Sequence, residues 1–176
     1  RLWLAPFRCE GRPVWVGQVS RDIGVKGTTK SATLTTHVID PVVEAIRAGE
    51  PVILPTDTVY GLCADAFQQE AVLGLYRLKG RGKAQPTALL AASEDVGADA
   101  VPELAGSPLL RGPYTLILPN PAGRFRWLTG DRPETIGVRI PELEGEARSV
   151  LDEVGVVAAT SANLPGGDDP RRLENV

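Results

Sequence analysis

The sequence predicts an α/β protein, and three observations support that prediction. Short runs rich in Val, Ile and Leu alternate with segments of helical periodicity over residues 40–160. One run, residues 51–55, contains no charged or amide side chain, as expected for a strand buried on both faces of a sheet. Asp40, Pro41 and Gly49 stand where an N-cap, a first-turn proline and a C-terminal glycine would bracket a helix.

The elements divide the chain into two parts. Residues 1–39 predict a β-rich N-terminal segment of unknown role, with strands at 14–19 and 32–39 joined by a long loop. Residues 40–176 predict the α/β domain. After the first helix its elements are strand 51–55, helix 68–78, strands 87–92, 114–118 and 136–140, helix 146–154 and strand 156–160.

Composition excludes several classes of function. The 176 residues suffice for one domain with a short appendage, and 43% hydrophobic with 23% charged residues is an ordinary globular balance. A net charge of -3 argues against nonspecific nucleic-acid binding by the whole surface. No apolar run reaches the roughly 18–20 residues of a membrane helix, so no membrane partner is expected. Two distant cysteines and one histidine predict a reduced cytoplasmic protein without a histidine-rich metal site.

Polar side chains follow the buried strand in the segment Pro-Thr-Asp-Thr-Val-Tyr-Gly-Leu, residues 55–62. Open α/β sheets bind ligands at such strand ends. Thr56 and Thr58 can exchange hydrogen bonds with a ligand carboxylate or hydroxyl, and Tyr60 offers a ring and a hydroxyl. The same residue types are common in turns that bind nothing.

Two further segments carry groups suited to anions. Lys79 and Arg81 flank Gly80 after a predicted helix, where a point charge and a planar fork could hold phosphate. A solvated basic loop, favoured by the helix dipole, is the alternative. Ser161 and Asn163 end the last strand before a glycine-rich turn that could cradle an anion or simply cap the strand. No histidine is placed to activate Ser161 as a nucleophile.

Two strands complete the set. The segment Gly-Pro-Tyr-Thr, residues 112–115, starts a strand and contains Thr115. Arg139 lies inside the apolar strand Gly-Val-Arg-Ile-Pro, residues 137–141. A strand-interior Arg is rarely buried without a partner, so either an anionic ligand or an Asp or Glu of the chain should face it.

In this order and spacing, the five motifs resemble the YrdC family, the threonylcarbamoyl-adenylate synthases, over about residues 40–175. The resemblance implies a YrdC-like open twisted mixed sheet with flanking helices around a cationic cavity. It also implies condensation of L-threonine, bicarbonate and ATP into threonylcarbamoyl-adenylate with release of pyrophosphate, for threonylcarbamoyl-adenosine modification of tRNA. That chemistry needs positioning and charge neutralisation more than covalent help.

The resemblance also assigns residues. Lys79, Arg81, Ser161 and Asn163 match the family's catalytic Lys-x-Arg and Ser-x-Asn set, which implies contacts with ATP phosphates and the carbamate. The residues matching the substrate pocket are Thr56, Thr58, Tyr60, Thr115 and Arg139. Mg²⁺ would bind through phosphate oxygens without a protein metal cluster. Transient contacts with tRNA or tRNA-modification proteins are the other expected partnerships.

Departures from the family pattern define the alternatives. The family's later Ser-Thr segment has no counterpart before Val176, so the sequence predicts a C-terminally truncated domain. Residues 1–39 resemble, more weakly, the LssY C-terminal domain. The rival enzyme function is carbamoyl-adenylate formation by a YrdC-like module. The non-enzymatic rival is an RNA-binding module that uses the basic residues of 77–83, although these lack interleaved aromatics.

Overall fold

One mixed sheet organises the chain in the computed structural model, which describes residues 7–9, 12–16, 36–80, 82, 85–107, 111–172 and 175–176. The strands are β1 (Phe7–Cys9), β2 (Arg12–Val16), β3 (Val52–Pro55), β4 (Tyr60–Asp65), β5 (Ala88–Ala91), β6 (Leu116–Pro119), β7 (Thr135–Arg139) and β8 (Val156–Ser161). The helices are α1 (Thr36–Arg47), α2 (Gln69–Leu78), α3 (Glu94–Ala100) and α4 (Gly145–Val154), with a 3-10 turn at Pro102–Leu104.

The order of strands across the sheet is β1-β2-β3-β4-β8-β5-β7-β6. Pairing is parallel between β2 and β3 and between β5 and β7, and antiparallel elsewhere. The predicted fold class, an open mixed sheet with flanking helices and a β-rich N-terminal part, is therefore confirmed. The division at residue 39 stays a prediction, and α1 runs continuously across that position.

Helices cover both faces of the sheet, as the uninterrupted apolar strands predicted. On one face, called here the α2 face, Val72, Leu75 and Tyr76 of α2 pack with Ile53 and Leu62. On the other, called the α1/α4 face, a second buried cluster holds α1 and α4 against the strands. Its members are Val42, Val43, Ala45, Ile46, Val52, Leu54, Cys63, Leu90, Ala92, Val150, Leu151, Val157 and Ala159. Alternate residues of β3, β4, β5 and β8 thus enter opposite cores.

The C-terminal end of α1 confirms the role expected for Gly49. Its φ is +79°, a left-handed conformation that favours glycine. The Gly49 N–H donates to the Ile46 carbonyl and the Glu50 N–H to the Ala45 carbonyl, both at 2.9 Å. These are the two hydrogen bonds of a Schellman motif, which satisfies carbonyls that the helix leaves open.

The start of α1 differs from the prediction. The strand expected at 32–39 is wrong over 36–39, because the helix begins at Thr36 and contains Pro41 in its interior. Residues 32–35 lie outside the described ranges. Composition misled here because β propensity depends strongly on context. Pro41 is the sixth residue of the helix, an unfavourable interior position for proline rather than the first-turn position that the sequence predicted.

Among the described strands and α-helices, β1, β4 and α3 were not predicted. The strand β4 begins at Tyr60, inside a segment whose Thr, Asp and Gly content suggested a turn. The helix α3 has few apolar residues, although its N-terminus carries a readable signal. Ser93 accepts a hydrogen bond from the Val96 N–H at 3.3 Å, and two acidic residues follow it in the first turn.

No helix among the described residues has the length and hydropathy needed to cross a bilayer.

The thiol of Cys63 provides a test of the packing on the α1/α4 face. Burial raises the pKa of Cys63 to about 12, from an ordinary value of 9.0. We therefore expect negligible thiolate, and so negligible labelling by an alkylating reagent at pH 8, until the protein unfolds. Folding stability from this group should be fully present below pH 9 and decline as the pH rises toward 12, because the unfolded thiol ionises first.

Labelling should be followed by mass spectrometry in a Cys9→Ser background, so that modification reports Cys63 alone. Rapid labelling of the native protein, without an increase on adding urea, would contradict the packing described here.

Candidate active site

Polar groups gather at the sheet edge where β3 ends, β4 begins and β8 ends. The register pairs Pro55 with Tyr60 and Gly61 with Ser161, so these three strand ends are adjacent. The Ala162 N–H donates to the Tyr60 carbonyl at 2.9 Å, which extends the pairing past β8. The turn at 56–59 and the loop after Ser161 therefore lie side by side.

Lys79 is buried at this edge, only 4% exposed, immediately after α2. Its Nζ donates to the Ser161 carbonyl at 2.9 Å, to Asn163 Oδ1 at 3.1 Å and to the Asn163 carbonyl. A buried ammonium group is costly unless oxygen atoms surround it. The structure thus brings together three residues that the sequence placed in one set, Lys79, Ser161 and Asn163. Arg81, the fourth, lies outside the described residues.

The turn between β3 and β4 is shaped by Thr56. Its hydroxyl donates to the Val59 carbonyl at 2.6 Å and accepts from the Val59 N–H at 3.3 Å. The hydroxyl is therefore engaged within the turn. The Tyr60 N–H donates to the Pro170 carbonyl at 2.8 Å, so the tail of the chain also contacts this segment. The Tyr60 side chain packs on the α2-face core.

Arg139 forms an ion pair with Asp57 across the sheet. Its Nη1 donates to Thr58 Oγ1 at 3.2 Å and its Nε to the Gly112 carbonyl at 3.3 Å. The other Asp57 oxygen accepts from the Glu142 N–H at 3.2 Å. Of the two partners the sequence left open for Arg139, the structure shows the carboxylate of the chain. Sequence reasoning missed Asp57, although it is the acid within the polar segment that follows β3.

Strand alternation places Ser161 and Arg139 on one face of the sheet. Cross-strand partners share a face, and the pairs link Ser161, Ala159, Ala88, Gly137 and Arg139 on the α1/α4 side. Between Ser161 and Arg139 lie two strand spacings and four residues, about 10 Å across and about 13 Å along the sheet. These two groups could therefore hold different parts of one extended ligand rather than the same atom.

The small residues Ala88 and Gly137 leave space above this stretch of the sheet. A Cβ on Gly137 would come within 3.1 Å of Thr115 Cγ2 and 3.6 Å of Ile117 Cδ1. Thr115 is exposed there, beside Gly137. The predicted residue Thr115 thus lies on the same face as Arg139. Lys79 approaches from the opposite side and meets this face only at the end of β8.

A separate groove of about 430 Å³ lies at the other end of β8. It is lined by Phe67, Phe125, Trp127 and Val156 among others, and includes none of the predicted site residues. Within the described ranges, no group of three or more His, Cys, Asp or Glu side chains is placed to hold a metal ion.

Comparison with known proteins identifies the family. The Sua5/YciO/YrdC family model, described as "Telomere recombination", matches residues 44–176. The chain belongs to the Sua5/YciO/YrdC family. A model of the LssY C-terminus matches residues 1–50, in agreement with the weaker N-terminal resemblance.

Relatives agree with the family match in sequence and in structure. A Mycobacterium tuberculosis protein is 38% identical over 134 residues, which cover 73% of this chain and 61% of that protein. The human threonylcarbamoyl-AMP synthase is 37% identical over 133 residues, 73% of this chain and 47% of its own length. The crystal structure of Pyrococcus abyssi Sua5 complexed with L-threonine has a TM-score of 0.66 and 34% identity, and the match covers 78% of this chain and 42% of that one. This chain thus spans about half the length of these Sua5/YciO/YrdC proteins.

The Lys79 contacts predict a stability effect. In Lys79→Met, the apolar side chain keeps much of the length but removes the donor, so oxygen atoms of Ser161 and Asn163 lose a buried partner. We expect the free energy of unfolding to fall by about 1–3 kcal/mol. Urea denaturation monitored by circular dichroism measures it.

The matched control is Arg77→Ala, two residues earlier, in the last turn of α2. Arg77 is exposed and its nearest acid, Glu70, is 3.9 Å away, so the change should be within about 0.5 kcal/mol. Equal stabilities for Lys79→Met and Arg77→Ala would contradict the role given to the buried ammonium.

Proposed function

We propose that this chain carries the catalytic domain of a threonylcarbamoyl-adenylate synthase, which condenses L-threonine, bicarbonate and ATP and releases pyrophosphate. The observation that carries the proposal is the buried contact of Lys79 with Ser161 and Asn163, which joins two motifs 82 residues apart at one strand end. The product would serve threonylcarbamoyl modification of adenosine in tRNA, with tRNA or tRNA-modification proteins as transient partners in the cytoplasm.

The polar end of β8 is the proposed phosphate site. Lys79 and Arg81 supply positive charge, while Ser161 and Asn163 supply hydroxyl and amide groups for hydrogen bonds to phosphate and carbamate oxygens. A triphosphate would have to share the Lys79 ammonium with the oxygen atoms that hold it in the structure. The described residues offer no carboxylate cluster, so Mg²⁺ would arrive with ATP, held by phosphate oxygens.

The face around Arg139 is the proposed threonine site. Arg139 and Thr58 present donors on one side, and Thr115 lies beside them on the open part of the face. Tyr60, whose ring packs on the α2-face core, and Thr56, whose hydroxyl bonds within the turn, would shape the segment beside this site. The reported L-threonine complex of Pyrococcus abyssi Sua5 supports an amino-acid substrate for this fold.

The reaction then needs two steps. The threonine amine nitrogen attacks the carbon of bicarbonate: a C–N bond forms, a C–O bond breaks, and an amine proton leaves with the hydroxyl group as water, which gives a carbamate. A carbamate oxygen attacks the α-phosphorus of ATP, and the bond from that phosphorus to the bridging oxygen breaks as pyrophosphate leaves. Holding the two substrates in line and neutralising the leaving pyrophosphate are tasks that fixed cations and N–H donors perform.

A pyrophosphate-release assay tests the proposal. The chain should release pyrophosphate from ATP only when L-threonine and bicarbonate are both present, and chromatography should detect the adenylate. Release that is independent of threonine, but supported by carbamoyl phosphate, would instead identify the carbamoyl-adenylate chemistry and refute the proposal.

Filling the open face should block the reaction without unfolding the domain. In Gly137→Val the added methyl groups approach Thr115 and Ile117 and occupy space proposed for threonine. We expect at least a tenfold loss of pyrophosphate release, with a melting temperature within a few degrees of the parent. The control is Gly74→Ala on α2, where a Cβ meets only Arg77 Nη2 at 3.8 Å. Full activity of Gly137→Val would exclude this face as the threonine site.

A further inference from the structure

We infer that Asp57 is a positioning residue, which holds the Arg139 guanidinium and the Thr58 hydroxyl side by side as a paired site for the substrate carboxylate. The inference rests on the proposed function, because it takes L-threonine as the ligand of this face. Asp57 itself would not touch the substrate.

The hydrogen bonds around Asp57 use both of its oxygens. One accepts from Arg139 Nη2 and the other from the Glu142 N–H. The Asp57 side chain is 10% exposed and that of Arg139 is 13% exposed. A carboxylate with both oxygens engaged and little exposure is poorly placed to act as a base or to bind a ligand. It is well placed to hold the Arg139 side chain and the backbone at Glu142 in position.

The guanidinium of Arg139 is held at all three of its nitrogens. Asp57 accepts from Nη2, Thr58 Oγ1 accepts from Nη1 and the Gly112 carbonyl accepts from Nε. A guanidinium has five N–H groups, and the described contacts use three of them. Its planar fork suits a carboxylate, and the Thr58 hydroxyl, which lies 3.3 Å from Thr56 Oγ1, can turn its hydrogen toward the same ligand. Orientation of the remaining donors therefore depends on the contacts already made.

The topology makes Asp57 the link between distant segments. Asp57 follows β3, whereas Arg139 ends β7, and β4, β8 and β5 lie between those strands in the sheet. The contact with the Glu142 N–H attaches the same turn to the connection between β7 and α4. One carboxylate thus fastens the turn at 56–59 across the substrate face. Without it, the contact that the structure describes between the turn and β7 would be the single hydrogen bond from Arg139 Nη1 to Thr58 Oγ1, at 3.2 Å.

The inference predicts a selective kinetic effect for Asp57→Asn, which keeps the size of the side chain and removes its charge. Looser placement of Arg139 and Thr58 should raise the KM for L-threonine at least tenfold, while the KM for ATP stays within twofold, because the phosphate site lies at the end of β8. Steady-state pyrophosphate release with each substrate varied in turn measures both constants.

The matched control is Asp152→Asn, which breaks the exposed pair of Asp152 with Arg148 on α4 and should change neither constant. The single and double variants of Asp57→Ala and Arg139→Ala provide a second measurement. Their effects on the KM for threonine should be strongly non-additive if the two residues act as a unit. A lower melting temperature with an unchanged KM for threonine would overturn the inference, as would equal increases in both KM values.

Amide hydrogen exchange tests the positioning role of Asp57 without turnover, and it separates this inference from the proposed function. Asp57→Asn should speed exchange in residues 56–60 and at Glu142, and leave α2 and β8 unchanged. If the parent chain shows no threonine-dependent reaction, the proposed function fails. The exchange measurement alone then decides whether Asp57 holds the turn at 56–59 and Glu142 in place. Unchanged exchange at these positions would overturn the inference even if the enzyme is active.

Discussion

An ammonium group taken out of water must be surrounded by oxygen atoms, and the end of β8 supplies them to Lys79. The C-terminal end of α2 already favours a cation, and the carbonyls of Ser161 and Asn163 complete its shell. One of those carbonyls belongs to the last residue of β8 and the other lies two residues beyond it, so the loop after the strand bends toward the helix. One buried charge thus fixes α2, β8 and the loop relative to one another, and the proposed phosphate site lies where those three parts meet.

Sequence periodicity predicted β3, β5 and β8 because these strands are rich in Val, Leu, Ile and Ala, as burial on both faces of a sheet requires. It failed where tertiary contacts outweighed composition. The strand β4 starts at Tyr60 in a segment of turn residues, and it is extended only because β3 and β8 pair with it on both sides. Residues 36–39 look like a strand and form the first turn of α1, whose apolar face follows later, at Val42 and Ile46.

The site was predictable in its parts but not in its connections. The motifs identified Lys79, Ser161 and Asn163, and the order of motifs implied that they converge. No local pattern could choose a partner for Arg139, since an acid of the chain and a ligand anion satisfy a guanidinium equally well. In the structure the partner of Arg139 is Asp57, 82 residues away. It reaches Arg139 because the turn after β3 extends across the sheet. Thr56 likewise carries a hydroxyl that could bind a ligand, but in the structure this hydroxyl forms hydrogen bonds with Val59 within the turn.

The position of β8 has a consequence for how the domain is made. It is the last described strand in the sequence, yet it lies in the middle of the sheet, between β4 and β5. During synthesis, the earlier strands emerge from the ribosome with this central place empty, and their apolar edges stay exposed until residue 161 follows. A stalled or shortened nascent chain would therefore lack both the sheet centre and the shell of Lys79. Quality control could detect such a chain by its unpaired β4 and β5, well before any test of catalysis.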